Sequence, residues 1–286
     1  MQPNVSYYEE SGQYNPLHAA GTLLLLLAIS LILGYAYSAI VLFNPLIYLN
    51  FLACIGVGLA LDFIAGHVFD FLKIRSRKLK IIFVIAASLF AWYCQWCATL
   101  DYFVFGEIDS VTEYLASLDW ILYPEIIFEN LGVAYDYGYY EMFGTAIKGP
   151  ILVVVWVLEL VIFIGYPALK VIRHVARPYS EKNEQWYPIK TLEKQYRVVT
   201  SAPSFAQQLS SDPANYLSGL SAGRGNAFST VQLYYLEEES DQYISVFNTT
   251  LEGKDNKPKQ EFIINNLTVS KSQAREILDA NSYYPK

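Results

Sequence analysis

Four long apolar segments dominate the hydrophobic pattern of this chain, and polar links of very different character separate them. The segments are residues 17–43, 46–72, 79–105 and 149–172. Each is long enough for an α-helix to cross the hydrocarbon core of a bilayer, which takes about 20 predominantly apolar residues. Asn44 and Pro45 end the first segment, and Pro150 suits the first turn of the fourth helix. The pattern predicts four transmembrane helices.

The charges in the links set a direction for these helices. Basic residues follow the second and fourth helices: Lys73, Arg75, Arg77, Lys78 and Lys80 in the first case, and Lys170, Arg173 and Arg177 in the second. The link between the third and fourth helices holds eight acidic residues and a single lysine. Lysine and arginine accumulate on the cytoplasmic side of membrane proteins. We therefore expect both termini in the cytosol of a multi-pass protein of the plasma (inner) membrane.

The acidic link, residues 107–148, is too long to be a plain connection. Apolar side chains recur within it at helical spacing; they are Val111, Tyr114, Leu115, Leu118 and Leu122. The same link is rich in tyrosine and holds Trp120, and aromatic amphipathic segments of this kind lie in the membrane interface. We expect a helical cap over the outer end of the bundle, with a ligand-binding lid as the alternative.

The chain beyond the fourth helix changes to the composition of a soluble protein. Three runs typical of strands, residues 229–236, 242–250 and 261–268, are separated by polar turns. They predict an antiparallel β-meander. Two short helices precede these runs, and a helix over residues 271–280 follows them with apolar side chains suited to covering one face of the sheet.

These patterns together define the predicted fold class. The chain is an α-helical integral membrane protein, in which a four-helix transmembrane bundle is joined to a small α+β cytosolic domain with an antiparallel β-meander. The predicted divisions are a cytosolic N-terminal segment (1–16), the transmembrane domain (17–176), a linker (177–200) and the cytosolic domain (201–286). A soluble domain of that size has a limited core of its own.

Composition narrows the classes of partner and chemistry. The net charge of −7, with no basic patch outside the flanks of the helices, argues against nucleic acid as a partner. All three cysteines lie inside predicted helices, where we expect small packing residues rather than disulfides. The motifs H-E-x-x-H and G-x-x-x-x-G-K-[ST] do not occur in the sequence. Residues 219–223 match G-x-S-x-G, but they follow a predicted helix and precede a predicted strand, whereas the nucleophile motif leads from a strand into a helix. We predict no catalytic site, no cofactor and no metal.

Polar side chains inside the predicted helices are the main candidates for chemistry. Asp62 on the second helix, Gln95 on the third and Glu159 on the fourth lie within apolar segments. A charge in the hydrocarbon core is costly, so the two carboxyl groups must be protonated, hydrated or paired. Their positions in the sequence predict that Asp62 and Glu159 lie at similar depths.

Small residues accompany Asp62 on the second helix. Four-residue spacing places the central members of a series on one helical face. The series is Cys54, Gly58, Asp62, Gly66 and Asp70. Its small members, Cys54, Gly58 and Gly66, would let another helix approach closely. Near the inner surface, His67 and Asp70 are expected to interact with the basic link.

Two interpretations of the intramembrane polar residues stay open. In the first, Asp62 and Glu159 are hydrogen-bonded contacts between helices; in the second, they form a proton or cation site together with Gln95. The leading hypothesis for function is a non-enzymatic, self-associating membrane protein whose cytosolic domain binds a protein or small-ligand partner. The alternative is a subunit of a proton- or cation-conducting channel that uses the intramembrane carboxyl groups.

Overall fold

The computed structural model describes residues 5–43, 47–105, 111–138, 140–142, 145–223, 225–253 and 257–285. The chain divides into two compact units. The helical unit is Ser11–His174, and the sheet unit combines Met1–Glu10 with Val175–Lys286. Residues 5–10 therefore belong with the domain at the opposite end of the sequence.

The helical unit contains the four long helices that the sequence predicts. In chain order its elements are α1 (Pro16–Phe43), α2 (Ile47–Phe71), α3 (Arg77–Phe105), α4 (Val111–Ala116), a 3-10 helix (Ser117–Leu122), α5 (Pro124–Tyr137), the hairpin strands β1 (Tyr140–Met142) and β2 (Thr145–Ile147), and α6 (Pro150–Arg173). By length and composition, α1, α2, α3 and α6 are suited to crossing a membrane. The prediction of four long apolar helices is confirmed.

The exterior of these helices is apolar and much of the polar surface is inside. Large apolar side chains are exposed on all four helices, among them Leu24, Ile32, Leu52, Phe63, Ile82, Ile151 and Val161. Polar side chains are buried between the helices, among them Ser30, Ser38, Asn50, Ser88, Gln95, Thr99 and Glu159. Soluble domains have the opposite distribution, since they rarely expose large contiguous apolar patches.

The closest helix contact joins α1 to α3, which run in the same direction. A Cβ atom placed on Gly34 would lie 2.4 Å from the carbonyl oxygen of Ala91 and 2.9 Å from Cβ of Cys94. One turn further along α1, the hydroxyl of Ser38 lies 3.0 Å from that of Thr99. A glycine is therefore required at position 34, because any side chain would force the two backbones apart.

The helical unit has two ends, which we name by their composition. At the loop end, α1 and α3 finish and α2 and α6 begin; at the basic end, α1 and α3 begin and α2 and α6 finish. At the basic end, Arg77 Nη2 donates a hydrogen bond to the carbonyl oxygen of His174 at 3.3 Å. This bond joins the first residue of α3 to the residue that follows α6.

The turn from α2 to α3 ends α2 with a residue in the left-handed conformation. Lys73 has φ +54°, its N–H donates to the carbonyl of Asp70, and the N–H of Ile74 donates to the carbonyl of Phe69 at 2.9 Å. These bonds form a Schellman motif, which satisfies carbonyl groups that the helix end would leave unpaired. The buried Ile74 packs in the same apolar cluster as Phe69.

The sheet unit is built on a five-stranded antiparallel sheet of order β8-β7-β6-β5-β9. Its strands are β5 (Ile189–Leu192), β6 (Ala227–Tyr234), β7 (Asp241–Glu252), β8 (Lys257–Ser270) and β9 (Tyr283–Pro285), preceded by a small hairpin of β3 (Tyr179–Ser180) and β4 (Gln185–Trp186). The predicted antiparallel meander is confirmed as β6, β7 and β8. Three strands lie within residues 177–200, where the sequence predicted a linker.

Three helices cover one face of this sheet. They are α7 (Ala202–Ser211), α8 (Pro213–Gly219) and α9 (Lys271–Ala280). Phe205, Leu217 and Ile277 from these helices share one apolar cluster with Ile244 and Val246 from the sheet. A capping box at Ser270 and Gln273 starts α9 directly after β8.

The N-terminal segment adds a short stretch of pairing to the edge of β8. Tyr7 forms an antiparallel bridge with Leu267, the N–H of Tyr8 donates to the carbonyl of Asn266 at 2.9 Å, and the N–H of Thr268 donates to Ser6. The Tyr8 ring packs edge-on against Tyr243 at 5.1 Å. Residues 6–8 therefore cover part of an edge that would otherwise be open to another strand.

Asn266 joins three parts of the sheet unit at a bulge in β8. It has φ +53°, and the register between β7 and β8 shifts beside it. Its side chain accepts a hydrogen bond from the hydroxyl of Ser245 at 2.9 Å and donates one to the carbonyl of Ala176. The residue thus connects the start of the sheet unit at 176 and the N-terminal segment to the central strands.

We expect Gly34→Ala to destabilise the helical unit by about 1–3 kcal/mol, because the new methyl group overlaps the backbone of α3. Gly21→Ala on the same helix is the matched control, since a Cβ atom there meets no described atom within 4 Å. Thermal unfolding in mild detergent measures both variants. An equal loss of stability in both would contradict the close contact at position 34.

For the bulge at Asn266, we expect stability to decrease from the wild type to Asn266→Gly and further to Asn266→Ala. Glycine accepts the left-handed backbone but removes two side-chain hydrogen bonds, at about 1–3 kcal/mol for each buried group left unsatisfied. Alanine adds a backbone cost of roughly 1–2 kcal/mol. Hydrogen exchange of β8 amides measures the order, and an alanine variant as protected as the glycine variant would contradict it.

Candidate functional site

Glu159 is the most enclosed carboxyl group among the sequence-predicted site residues. It lies on α6 with 2% of its surface exposed, and Tyr37 Oη on α1 donates a hydrogen bond to its Oε1 at 2.7 Å. The thiol of Cys54 on α2 donates to the main-chain carbonyl of the same residue at 3.7 Å. Three of the four long helices therefore meet at Glu159.

The side chains around this contact are apolar. Tyr37 and Cys54 belong to a buried cluster that also contains Leu152, Val155 and Phe163, and the Tyr37 ring packs edge-on against Phe163 at 5.3 Å. A hydrogen bond in such surroundings is stronger than one in water, and a polar group left without one is costly. The geometry is that of a polar contact holding α1 against α6.

Gln95 belongs to a different contact, between α1 and α3. Thr99 Oγ1 donates to the main-chain carbonyl of Gln95 at 2.8 Å and lies 3.0 Å from the hydroxyl of Ser38. Among the described residues, Gln95 Nε2 is buried with no hydrogen-bond partner. Gln95 thus bonds to Thr99 of its own helix, which contacts Ser38 of α1, and it has no described hydrogen bond with Glu159.

Asp62 lies well away from Glu159 along the bundle. Cys54, which contacts Glu159, precedes Asp62 by eight residues on α2, or about 12 Å of helix. The basic side chains in its neighbourhood are Lys170 and His174 at the basic end. The expected similar depth of the two carboxyl groups is not observed, because α2 and α6 run parallel in a register that sets Cys54 opposite Glu159.

The small-residue series on α2 faces α6 over only part of its length. Cys54 and Gly58 are buried, and a Cβ atom on Gly58 would lie 3.6 Å from the carbonyl of Ile162. Gly66 has no described atom within 4 Å of such a Cβ. Four-residue steps drift by about 40° each, so the series turns from the α6 contact to the exterior.

His67 and Asp70 are exposed at the basic end. His67 Nδ1 lies 2.7 Å from the carbonyl oxygen of Phe63 on its own helix. Two neighbouring arginines donate hydrogen bonds to main-chain carbonyl groups. Arg75 donates to the carbonyl of Lys73 at 2.9 Å, and Arg77 donates to the carbonyl of His174.

The other topology-setting cations are placed as follows. Lys78 and Arg173 are exposed, and Lys80 is half-buried. In the sheet unit, Arg177 donates to the carbonyl of Tyr187 through Nη2 at 3.0 Å.

A charged network in the sheet unit joins the end of β6 to α9. Glu237 accepts hydrogen bonds from Tyr235 and Arg275, and Lys271 Nζ lies 3.1 Å from its Oε1. The hydrogen bond from Tyr235, followed by those from Lys271 and Arg275, lowers the pKa of Glu237 to about 2. The three charged side chains of this network are partly or fully exposed, so their ion pairs add little stability.

Several residues of the interhelical contacts were not singled out from the sequence. Tyr37, Ser38, Thr99 and Gly34 make the contacts described above, and Asp101 near the loop end of α3 is also buried. Hydroxyl-bearing and small residues are common in apolar helices, so their types alone do not mark them. The useful signal is that Gly34 and Ser38 are spaced by four residues on α1.

Comparison with known proteins finds no match: no family model, no curated protein and no solved structure resembles the chain. Within the described parts of the chain, no three His, Cys, Asp or Glu side chains are grouped to hold a metal ion. The contacts and surfaces of the two units are therefore the basis for inferring function.

We expect Tyr37→Phe to destabilise the wild-type protein by about 1–3 kcal/mol, because it removes a donor to a buried carboxyl group. Glu159→Gln keeps an acceptor at Oε1 and should stay close to wild type. In a Glu159→Leu background, Tyr37→Phe should have little effect, since the acceptor is gone. Thermal unfolding in detergent measures the cycle, and an equal effect of Tyr37→Phe in both backgrounds would contradict the coupling.

Proposed function

We propose that this protein is a non-enzymatic, self-associating membrane protein. Its four long helices anchor it in a lipid bilayer, and its sheet unit binds a protein or small-ligand partner in the cytosol. The observation that supports this proposal best is the division into an apolar-surfaced helical unit and a separate sheet unit with its own core.

The distribution of side chains supports insertion of the helical unit. Serine, threonine, glutamine and glutamate side chains are buried within it, while many leucine, isoleucine and phenylalanine side chains are exposed on its exterior. Lipid tails offer no hydrogen bonds, so polar side chains within a membrane must be satisfied between helices. The contacts at Glu159 and Thr99 meet this requirement.

The make-up of the sheet unit supports placing both ends of the chain on one side. Residues 5–10 precede α1 and residues 175–285 follow α6, yet they pair within one unit. An even number of membrane crossings permits this pairing. The positive-inside rule then assigns that side to the cytosol, since Lys73, Arg75 and Arg173 flank the basic end.

Two glycosylation sequons agree with a cytosolic sheet unit. They begin at Asn248 and Asn266. The side-chain amide of Asn248 donates to the carbonyl of Val199 at 2.9 Å, and that of Asn266 donates to Ala176. A glycan on either nitrogen would disrupt these bonds, so the fold is suited to a compartment in which the sequons are not modified.

The channel alternative receives less support from the geometry. The three candidate residues belong to different groups of contacts; they are Asp62, Gln95 and Glu159. Asp62 lies about two helical turns along α2 from Cys54, the residue that contacts Glu159. A conducting path through a single chain would need to connect them.

The deciding experiment measures proton and cation flux in proteoliposomes that contain wild type, Asp62→Asn or Glu159→Gln. We expect no flux from any of the three, because Glu159 acts as a helix contact. Correct insertion is checked by protease protection of the sheet unit. Flux from wild type that disappears in the variants would overturn the proposal in favour of a channel.

The binding role is tested with full-length protein in its membrane. We expect cross-linking to recover partners that bind wild type and are lost from Asn266→Ala, which weakens the sheet unit without changing the helical unit. Recovery of no partner from the wild-type protein would contradict the binding role. Equal recovery from a variant whose β8 amides exchange as in an unfolded chain would show that the sheet unit is not the binding surface.

A further inference from the structure

The link between α3 and α6 folds back along the helices instead of capping their ends. We call residues 111–137, which comprise α4, the 3-10 helix and α5, the loop hairpin. Tyr93 Oη on α3 donates to the carbonyl of Ile121 at 3.1 Å, and Tyr114 Oη donates to the carbonyl of Tyr35 on α1 at 2.6 Å. Tyr93 on α3 and Tyr35 on α1 both lie well before the loop end of their helices.

The distance from the loop end follows from helix geometry. Tyr93 precedes Phe105, the last residue of α3, by 12 residues, or about 18 Å. The other arm returns to the loop end, where the N–H of Gly149 donates to the carbonyl of Tyr135 at 2.8 Å. The chain thus descends through α4, turns near residues 121–123 and ascends through α5.

This descent is deep enough to reach the hydrocarbon core of a bilayer. α3 has 29 residues, about 43 Å of helix, against a core of about 30 Å. Even if the whole excess of about 13 Å projected from the loop end, a point about 18 Å below that end would lie inside the core. The turn of the loop hairpin is at that level.

One face of the descending arm is apolar and exposed. Four exposed apolar side chains along it form what we call the apolar stripe: Val111, Leu115, Leu118 and Leu122. The opposite side is buried, with Trp120 packed among Trp96 and Leu100 of α3. Ile32, one turn before Tyr35 on α1, is also exposed, so apolar exterior continues beside the hairpin.

We propose that the loop hairpin is a re-entrant element, with the lower part of its apolar stripe in contact with lipid acyl chains of the loop-end leaflet. This inference rests on the proposed insertion of the four long helices. The contact surface is specific: Leu122, at the turn, lies deepest, while Val111 and Tyr137 lie at the two upper ends.

Three acidic residues of the hairpin lie on α5, and Asp119 is exposed on the descending arm. Glu125, Glu129 and Asp136 on α5 recur on the side opposite Ile127 and Ala134, which are buried. Glu125 is in the first turn of α5, where the positive end of the helix dipole favours a carboxylate. The ascending arm therefore has an acidic side. On the descending arm, Asp119 lies one 3-10 turn, about 6 Å, above Leu122.

The test is depth-dependent quenching of a fluorophore attached to single introduced cysteines. Val111→Cys, Leu122→Cys and Tyr137→Cys form a matched set, because the native side chains are 75%, 76% and 73% exposed. Ile32→Cys, at a site 67% exposed on α1, is the lipid reference. The three native cysteines are buried and give little background. Each protein is labelled in mild detergent and reconstituted into phosphatidylcholine vesicles.

Two quenchers separate the outcomes: iodide in water and a nitroxide on the phosphatidylcholine acyl chain. We expect position 122 to match position 32, with several-fold more acyl-chain quenching than positions 111 and 137, which iodide should quench. Iodide quenching at position 122 equal to that at 111 and 137 would overturn the re-entrant arrangement. If neither iodide nor the acyl-chain nitroxide quenched position 122, the re-entrant arrangement would also be overturned, since protein would then cover the turn. Iodide quenching at position 32 would instead show that the insertion proposal itself is wrong.

Discussion

A carboxyl group enclosed by apolar side chains must find its hydrogen-bond donor within the protein, and this constraint organises the helical unit. Tyr37 meets it by donating to Glu159 across the α1–α6 contact. The pairing fixes the rotation of both helices, since neither side chain can turn outward without leaving a polar atom among leucine and phenylalanine side chains. Ser38 and Thr99 impose the same condition between α1 and α3.

The contact of Cys54 with Glu159 fixes how far α2 is shifted along α6. This register separates the two candidate carboxyl groups, Asp62 and Glu159. With Cys54 opposite Glu159, Asp62 lies nearer to Lys170 and His174 at the basic end. Each carboxyl group therefore has its own surroundings: one among apolar side chains, the other near two basic ones. The difference favours a structural role for Glu159, which is the reason for preferring an anchor to a channel.

The sequence predicts the long elements well because hydropathy and strand periodicity are local properties. Residues 17–43 match α1 closely, and the meander strands agree within a few residues. Contacts between elements are not local. Gly34 and Gly66 look alike in the sequence, but only Gly34 touches another helix. The three- and four-residue strands β9 and β5 are too short for a period-two pattern, and the N-terminal segment reveals its pairing only beside β8.

The pairing of residues 6–8 with β8 imposes an order on biosynthesis. The ribosome makes Tyr7 before any of the four long helices and makes Leu267 after all of them, so the bridge between them closes late. Until then the edge of β8 is open to strands of other chains. In a chain stalled before its C-terminal helix, the sheet edge would be uncovered and the core of the sheet unit would be incomplete. Both exposed surfaces would be substrates for chaperones.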